Sequence, residues 1–430
     1  MGRRGSMMGM GVGLGVAALV VSAGAVSVEV SELYRPGIAA IPRLRNDRVV
    51  FQDFKEGSYR LYVLDPGSSN PEAIRNNGPT TYLYPLAFDG SSVTWVNYTM
   101  GGSGPGGRVN PLSKRLSTHA GPSGNFDIVL MGVAGRDEQT VSENSAYKEY
   151  LAVDNGKVVW TDYRFYDKTS EDTTVEVFLY DGSERQLTNY ACYKAGVDIQ
   201  GSRVVWQDYR SRGPSGLNAD IYLYELGGGG ESSVCTEGSY QDQPSVHGNI
   251  VVWQDFRDAG AAMEDADIYG RDLSGGDPFA ICDKDGYQCC PRVYGDYVVW
   301  QDYRHAGDNP DNADIYLYRI STEEEIAVTT KDGYQGEPVI DGDYIVWMDY
   351  TDTTLYRARI DGSATTAARP IGRVSTYGHS ADTRTSRGFR VYNAAGRCLG
   401  RSRHPSSVTV RAAGLRKQAS GSVEVSVGQE

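Results

Sequence analysis

Histidine is scarce in this chain. Its five copies, at 119, 247, 305, 379 and 404, fall in different segments with no paired metal-ligand spacing. The sequence also has no H-E-x-x-H, no G-x-S-x-G and no G-x-x-x-x-G-K-[ST], which excludes a helical zinc protease site, a nucleophile elbow and a phosphate loop. Six cysteines include no C-x-x-C pair, which argues against a structural zinc site. Basic charge is short as well. The 42 Lys+Arg stand against 55 Asp+Glu, for a net charge of −13, and that balance excludes a nucleic acid partner, which needs clustered cations. Apolar residues at helical spacing are almost absent. The 52 Gly and 30 Tyr point instead to strands and turns.

What the chain does have is one motif, repeated. V-V-W-Q-D-Y-R at 204–210 returns as V-V-W-Q-D-F-R at 251–257 and V-V-W-Q-D-Y-R at 298–304, with looser copies at 158–164, 345–350, 49–54 and 92–98. Aligning Phe51, Trp95, Trp160, Trp206, Trp253, Trp300 and Trp347 gives steps of 44, 65, 46, 47, 47 and 47 residues. A fixed period of this length marks a repeat architecture. Other positions keep step: Tyr thirteen residues before most of the tryptophans, Gly five before (Gly90, Gly201, Gly248, Gly295, Gly342), and Pro nine before (Pro42, Pro244, Pro291, Pro338). The Gly positions predict tight turns with positive φ, and the Pro positions predict the start of a strand.

Each unit reads as four short runs separated by turn residues, a four-stranded antiparallel meander. The second run is apolar throughout before its polar end, as for a strand covered on both faces. Stacking sheets in a ring supplies that cover. The expected fold class is all-β, a seven-bladed β-propeller of four-stranded antiparallel blades, spanning residues 28–364.

The ends differ from the body. Residues 1–27 carry Arg3 and Arg4, an apolar run and then small residues, which predicts a signal peptide or an uncleaved amino-terminal anchor. Residues 365–430 carry 11 Lys+Arg against 3 acids and are expected to be a basic, largely disordered tail. With this tail near +8 and the first segment at +2, the body holds about −23. The protein is therefore expected to be exported to the periplasm, the cell surface or outside, to be a monomer, and to meet a membrane only through an uncleaved amino-terminal segment. The Gly-rich stretch at 101–107 accounts for the 65-residue step and predicts a mobile loop.

The aligned units resemble the TolB-like β-propeller repeats of exported and cell-surface proteins. The carrying pattern is P-x-x-x-G-x-x-V-V-W-Q-D-x-R followed by D-I-Y-L-Y, as at 291–304 with 314–318 and at 244–257 with 267–269. The first, second and seventh units depart by lacking the Arg, and the second also lacks the Asp. In TolB proteins an α/β domain precedes the propeller, and the 430 residues leave no room for one, so that family's partner interactions do not carry over.

Candidate residues follow from the repeat and from its exceptions. Arg210, Arg257 and Arg304 stand two residues after Asp208, Asp255 and Asp302. Their repetition favours a tether at each strand exit over a catalytic set. Tyr240, Tyr287 and Tyr334, followed by Gln241, Gln288 and Gln335, offer either a stacking surface for sugars and peptides or packing at blade corners. In the usual propeller wiring these Tyr and Asp-Arg sets border one face. His247 and His305 occupy different places in their units and so stand outside the repeat. Asp308, Asp311 and Asp314 form an oxygen-rich segment that could hold Ca²⁺, although the spacing of a calcium loop is missing; no other cofactor is implied. Cys282 with Cys289 or Cys290 is the nearest disulfide pairing. The expected function is a non-catalytic binding or scaffolding module presenting one loop face to a protein or glycan. The alternative is a polysaccharide-active lyase or glycosidase with its site at the channel mouth.

Overall fold

Seven sheets make a β-propeller, and the described residues contain no helix. The computed structural model describes residues 19–23, 26–38, 40–79, 81, 83–100, 124–166, 174–211, 218–259, 265–307, 309, 311–362, 389–392, 398–404 and 407–410. The expected loop at 101–107, most of the amino-terminal segment, Tyr82, Asp308 and the stretch 365–386 lie outside them.

Blade 5 shows the plan. Its strands, from the channel outward, are Gln241–His247, Ile250–Asp255, Asp267–Asp272 and Phe279–Cys282, joined in sequence order. The second strand carries the motif, and its pattern explains its place. Val251, Val252, Trp253, Gln254 and Asp255 are all buried, because sheets lie against both faces. Phe51 and the six tryptophans at the same position are each at most 1% exposed, one per blade. Burying a side chain of that size contributes about 3 kcal/mol or more, so these seven residues anchor the ring. The turn glycines have positive φ as expected, from 57° at Gly295 and Gly342 to 95° at Gly90.

Two features depart from the sequence reading. Blade 7 takes its fourth strand from the other end of the chain: Val26–Tyr34 pairs antiparallel with Thr354–Asp361 and closes the ring. Val26 and Val28 pack with Trp347, Ala358 and Ile360. Leu19–Ala23 adds a fifth strand outside it.

The second departure concerns proline. Pro244, Pro291 and Pro338 lie inside the inner strands, which begin three residues earlier at Gln241, Gln288 and Gln335. Each proline follows a β-bulge, where its missing N–H costs no ladder bond. The residue before it has positive φ: Gln243 (51°), Cys290 (58°) and Glu337 (56°), with Gly196 (54°) and Tyr150 (45°) at the same place in blades 4 and 3. A left-handed non-Gly residue costs about 1 kcal/mol or more, so four of these five neighbouring bulges put strain around the channel wall, while Gly196 adopts the same φ freely. The tail contains a separate three-stranded sheet, Phe389–Tyr392, Cys398–His404 and Ser407–Val410.

Candidate functional site

The inner strands enclose a central cavity of about 820 Å³. Its two ends are built differently. In blade 5 Gln241 pairs with Asp255 at one end and His247 with Ile250 at the other. The Tyr and Asp-Arg sets therefore share one face, here called upper, as the wiring predicts.

The upper end carries a belt of aromatic rings. Eleven described rings, from Phe126 through Tyr193, Tyr240, Tyr287 and Tyr334 to Tyr350, meet neighbour to neighbour at centroid distances of 4.7–6.5 Å. Each blade from 3 to 7 gives one ring from the residue before its inner strand and one from the residue after its second strand. The hydroxyls join too: those of Tyr209 and Tyr240 lie 2.8 Å apart, and Tyr163 donates to Tyr193 at 3.1 Å. Burial pushes the hydroxyls of Tyr209, Tyr240 and Tyr287 well above the ordinary phenol range. Tyr240 and Tyr287 line the cavity.

Gln241, Gln288 and Gln335 stand behind this belt, fully buried. In blades 3 and 4 the same position holds Lys148 and Lys194. Lys194 Nζ meets Glu176 of the preceding blade at 3.0 Å and donates to the Tyr190 carbonyl at 2.6 Å. These residues fill the junction between blades.

The arginines are tied within their blades. Asp208 Oδ1 accepts from the Arg210 amide and Nε, at 2.9 and 2.8 Å. Its Oδ2 accepts from Arg210 Nη2 and from Trp206 Nε1, at 2.8 and 2.9 Å. Although burial alone would raise the Asp208 carboxyl, the bonds from Arg210 and Trp206 hold it below the usual range. Blades 3 and 5 repeat this set around Asp162 and Asp255. In blade 6 Asp302 accepts from the Arg304 amide, Arg304 Nη2 and Trp300 Nε1. Each guanidinium lies 3.8–4.1 Å from the ring of Phe178, Tyr222, Tyr269 or Tyr316 on the third strand. Outer-strand carboxylates meet three of them: Glu184 at 2.8 Å, Glu231 at 2.6 Å and Glu325 at 2.7 Å. Arg257 has no such partner, because the outer strand of blade 5 reads F-A-I-C. One arginine thus ties together strands two, three and four.

At the lower end the last inner-strand residue of one blade, or in blade 2 the residue just after it, accepts a backbone N–H from the turn of the next. The acceptors are Asp89 for Gly156 (2.7 Å), Asp154 for Gly201 (2.9 Å), Gln200 for Gly248 (3.0 Å), His247 for Gly295 (3.0 Å) and Asp341 for Asn46 (2.6 Å). His247 therefore holds a repeat position after all, filled by chemically different acceptors. Its Nδ1 accepts, so Nε2 carries the proton, and the ring lies 4.2 Å from Tyr294. His305 sits at the upper face, with Nδ1 3.4 Å from Asp314 Oδ2. The structure does not bring the two histidines together.

Asp311 is exposed, Asp314 is buried at the start of its strand and bonded by His305 and Thr329, and Asp308 lies outside the described residues. No cluster of three metal-ligating acidic, His or Cys side chains occurs among the described residues. The pairing of Cys282 with Cys289 or Cys290 is not formed; all five described cysteines are free thiols. The reason is topological. Cys282 ends the outer strand of blade 5, with Sγ 3.1 Å from Arg304 Nη2, while Cys289 and Cys290 lie on the inner strand of blade 6.

One cavity residue was missed by the sequence reading. Asp242, on the inner strand of blade 5, has an Oδ1 closed to solvent with no hydrogen-bond donor among the described residues. Burial, and then the charge of Asp255, push its carboxyl up to about 8. The sequence signal is weak: the same position holds Glu149 in blade 3 and Ala195, Cys289 and Gly336 in blades 4, 6 and 7.

No protein-family model and no curated protein matches the chain. Solved structures do. An oligogalacturonate lyase in complex with manganese matches at 14% identity and a TM-score of 0.52, over 80% of this chain and 96% of that one. The Pyrococcus horikoshii acylaminoacyl peptidase matches at 12% identity and a TM-score of 0.52, over 77% of this chain; this chain spans 57% of the peptidase. TolB from Acinetobacter baumannii matches at 14% identity and a TM-score of 0.36, over 74% and 64%. At these identities the likeness is one of fold. Seven blades built on the repeated P-x-x-x-G-x-x-V-V-W-Q-D-x-R pattern make the chain a seven-bladed β-propeller, and that pattern resembles the TolB-like repeat.

Proposed function

We propose that this is an exported, non-catalytic binding propeller whose upper face and cavity take a protein or glycan ligand. The observation that supports it is the cavity itself, about 820 Å³, walled by tyrosine rings on its upper side. That volume is in the range that ligand sites use, and tyrosine rings can pack on a peptide or a sugar. The repeated Asp-Arg sets, by contrast, are taken up in tying the strands of each blade to one another. Export rests on the order of charge, apolar run and small residues ahead of Val26.

A second reading has one observation in its favour. Asp242, with its carboxyl near 8, is protonated at neutral pH, as a general acid must be, and a polysaccharide-active enzyme could use it. Screening the full chain against glycan and peptide arrays, with chromatography of the recovered ligands, separates the two. Intact ligands retained at micromolar affinity are expected. Cleaved ligands would overturn the non-catalytic reading, and no retention on either array would overturn the binding reading.

A further inference from the structure

Two cysteines stand side by side on the channel wall of blade 6, and nowhere else in the chain are two adjacent. At the places of Cys289 and Cys290, blade 3 carries Glu149 and Tyr150, blade 4 Ala195 and Gly196, blade 5 Asp242 and Gln243, and blade 7 Gly336 and Glu337. Blade 4 builds the same bulge from alanine and glycine, so the bulge itself has no need of sulfur.

In a regular strand neighbouring side chains point to opposite faces of the sheet, and two adjacent thiols do not meet. The bulge removes that obstacle. The ladder of blade 6 slips between Cys289 and Arg292, and Cys290 has a φ of 58°. Both cysteines then pack into one cluster with Tyr287, Tyr303 and Ala313, and the Cys290 thiol acts directly on the ionisation of its neighbour. The backbone is held on both sides: the Cys290 amide donates to Gln243 Oε1 of blade 5 at 3.0 Å, and Pro291 follows.

Access to the two thiols differs. Cys290 lines the central cavity, whereas Cys289 is fully buried beside it. Burial also pushes the Cys289 thiol well above its ordinary range. The remaining described thiols lie elsewhere, Cys192 just before the inner strand of blade 4, and Cys235 and Cys282 at the ends of outer strands.

We propose that Cys289 and Cys290 are a redox-active pair that closes to a disulfide between neighbouring residues, with Cys290 the attacking thiol and Cys289 the resolving one. The oxidant is a low-molecular-weight disulfide entering the cavity. The Cys290 sulfur gives up its proton and attacks one sulfur of the oxidant. A mixed disulfide forms, and the first small thiol leaves with that proton. The Cys289 sulfur then loses its proton, attacks Cys290 Sγ and expels the second small thiol. Two protein thiols are oxidised, and one disulfide is reduced to two thiols. Neighbouring Cα atoms are about 3.8 Å apart, shorter than the span of about 4.4–6.8 Å that a relaxed disulfide takes. The closed ring is therefore strained and easily reduced, which is the behaviour of a labile disulfide rather than a structural one. None of this depends on what the cavity binds.

The test is mass spectrometry of the full chain after incubation with hydroxyethyl disulfide, alkylation with iodoacetamide and digestion with trypsin. Cleavage after Lys284 and Arg292 yields the peptide D-G-Y-Q-C-C-P-R, which holds these two cysteines and no other. It is expected to be recovered two hydrogens lighter and unalkylated, and to return to the doubly alkylated form after mercaptoethanol. Cys289→Ser, which lacks the resolving thiol, is expected to keep a hydroxyethylthio adduct on Cys290, and Cys290→Ser to take none on Cys289. The measurement on the unsubstituted chain needs no variant to fold. Two alkylated cysteines after oxidation, an adduct on Cys289 in Cys290→Ser, or a link from either residue to another cysteine overturns the proposal.

Discussion

Blades 4 and 2 put the same residue in the same place with different support. Trp206 and Trp95 are both fully buried in second strands. Trp206 Nε1 donates to Asp208, which also holds Arg210, and the arginine reaches on to Tyr222 and Glu231. Trp95 Nε1 is buried without a partner among the described residues, and Asn97 stands where the aspartate belongs. Arg75, from the outer strand of blade 1, covers the Trp95 ring at 4.9 Å. The tryptophan is thus required for packing in every blade, while the Asp-Arg set is an added clasp that binds strands two to four. Blade 2, without it, also carries the insertion at 101–123 between its second and third strands.

The largest way to break this comparison is to remove the hub. Asp302→Ala leaves Arg304 with Glu325 as its remaining carboxylate and strips Trp300 Nε1 of its acceptor, a loss of about 2–3 kcal/mol. Asn97→Ala is expected to cost under about 1 kcal/mol. Urea titrations of the two variants check this, and equal costs would show that the clasp has no special role.

Indole hydrogen bonding comes next. Trp300→Phe loses the 2.8 Å bond to Asp302, whereas Trp95→Phe loses none. Beyond the shared loss of ring area, the blade 6 variant is expected to be worse by about 1 kcal/mol in the same titration.

Building the clasp into blade 2 is the converse. Asn97→Asp alone buries a charge and should destabilise. The double change Asn97→Asp with Thr99→Arg is expected to recover that loss and add about 1 kcal/mol. A double-mutant cycle by thermal unfolding shows whether the two substitutions couple.

The smallest effect separates two clasps at the lower end. Burial, and then the charge of Arg45, lower the His247 pKa from 6.5, so the folded state favours the neutral ring that accepts from Gly295. A depressed histidine contributes stability that is present above the unfolded value of 6.5. It is lost as pH falls from there toward the folded value, since the unfolded chain then binds more protons. Gln200 makes the equivalent bond without titrating. His247→Gln is therefore expected to flatten the stability profile between pH 7 and 5 by under about 1 kcal/mol, and a matching change at Gln200 should leave the profile's slope alone.

Much of the fold was legible because its signal is local and repeated. Trp206, Trp253 and Trp300 sit in apolar runs that only a doubly covered strand explains, and Gly248 or Gly295 marks a turn by needing positive φ. The clasp on Asp208 was legible in outline, since two residues of spacing suffice for an aspartate to accept the following amide and guanidinium. His247 was misread because its role is defined by an acceptor atom rather than a residue type; Asp154, Gln200 and Asp341 serve equally, so no pattern shows. Pro244 was misplaced because the bulge before it depends on how the inner strand crowds its neighbours around the channel.

The sequence by itself determined the number of blades and the course of their second strands, because burial of a large ring every 47 residues or so is a local demand that recurs. The tertiary structure alone decided three things: that Val26–Tyr34 closes blade 7, that the belt of tyrosines is continuous, and that Asp242 lines the central cavity. Each depends on bringing together residues far apart in the chain, such as Val28 and Ile360, and no local pattern of residues encodes which distant surface will lie opposite.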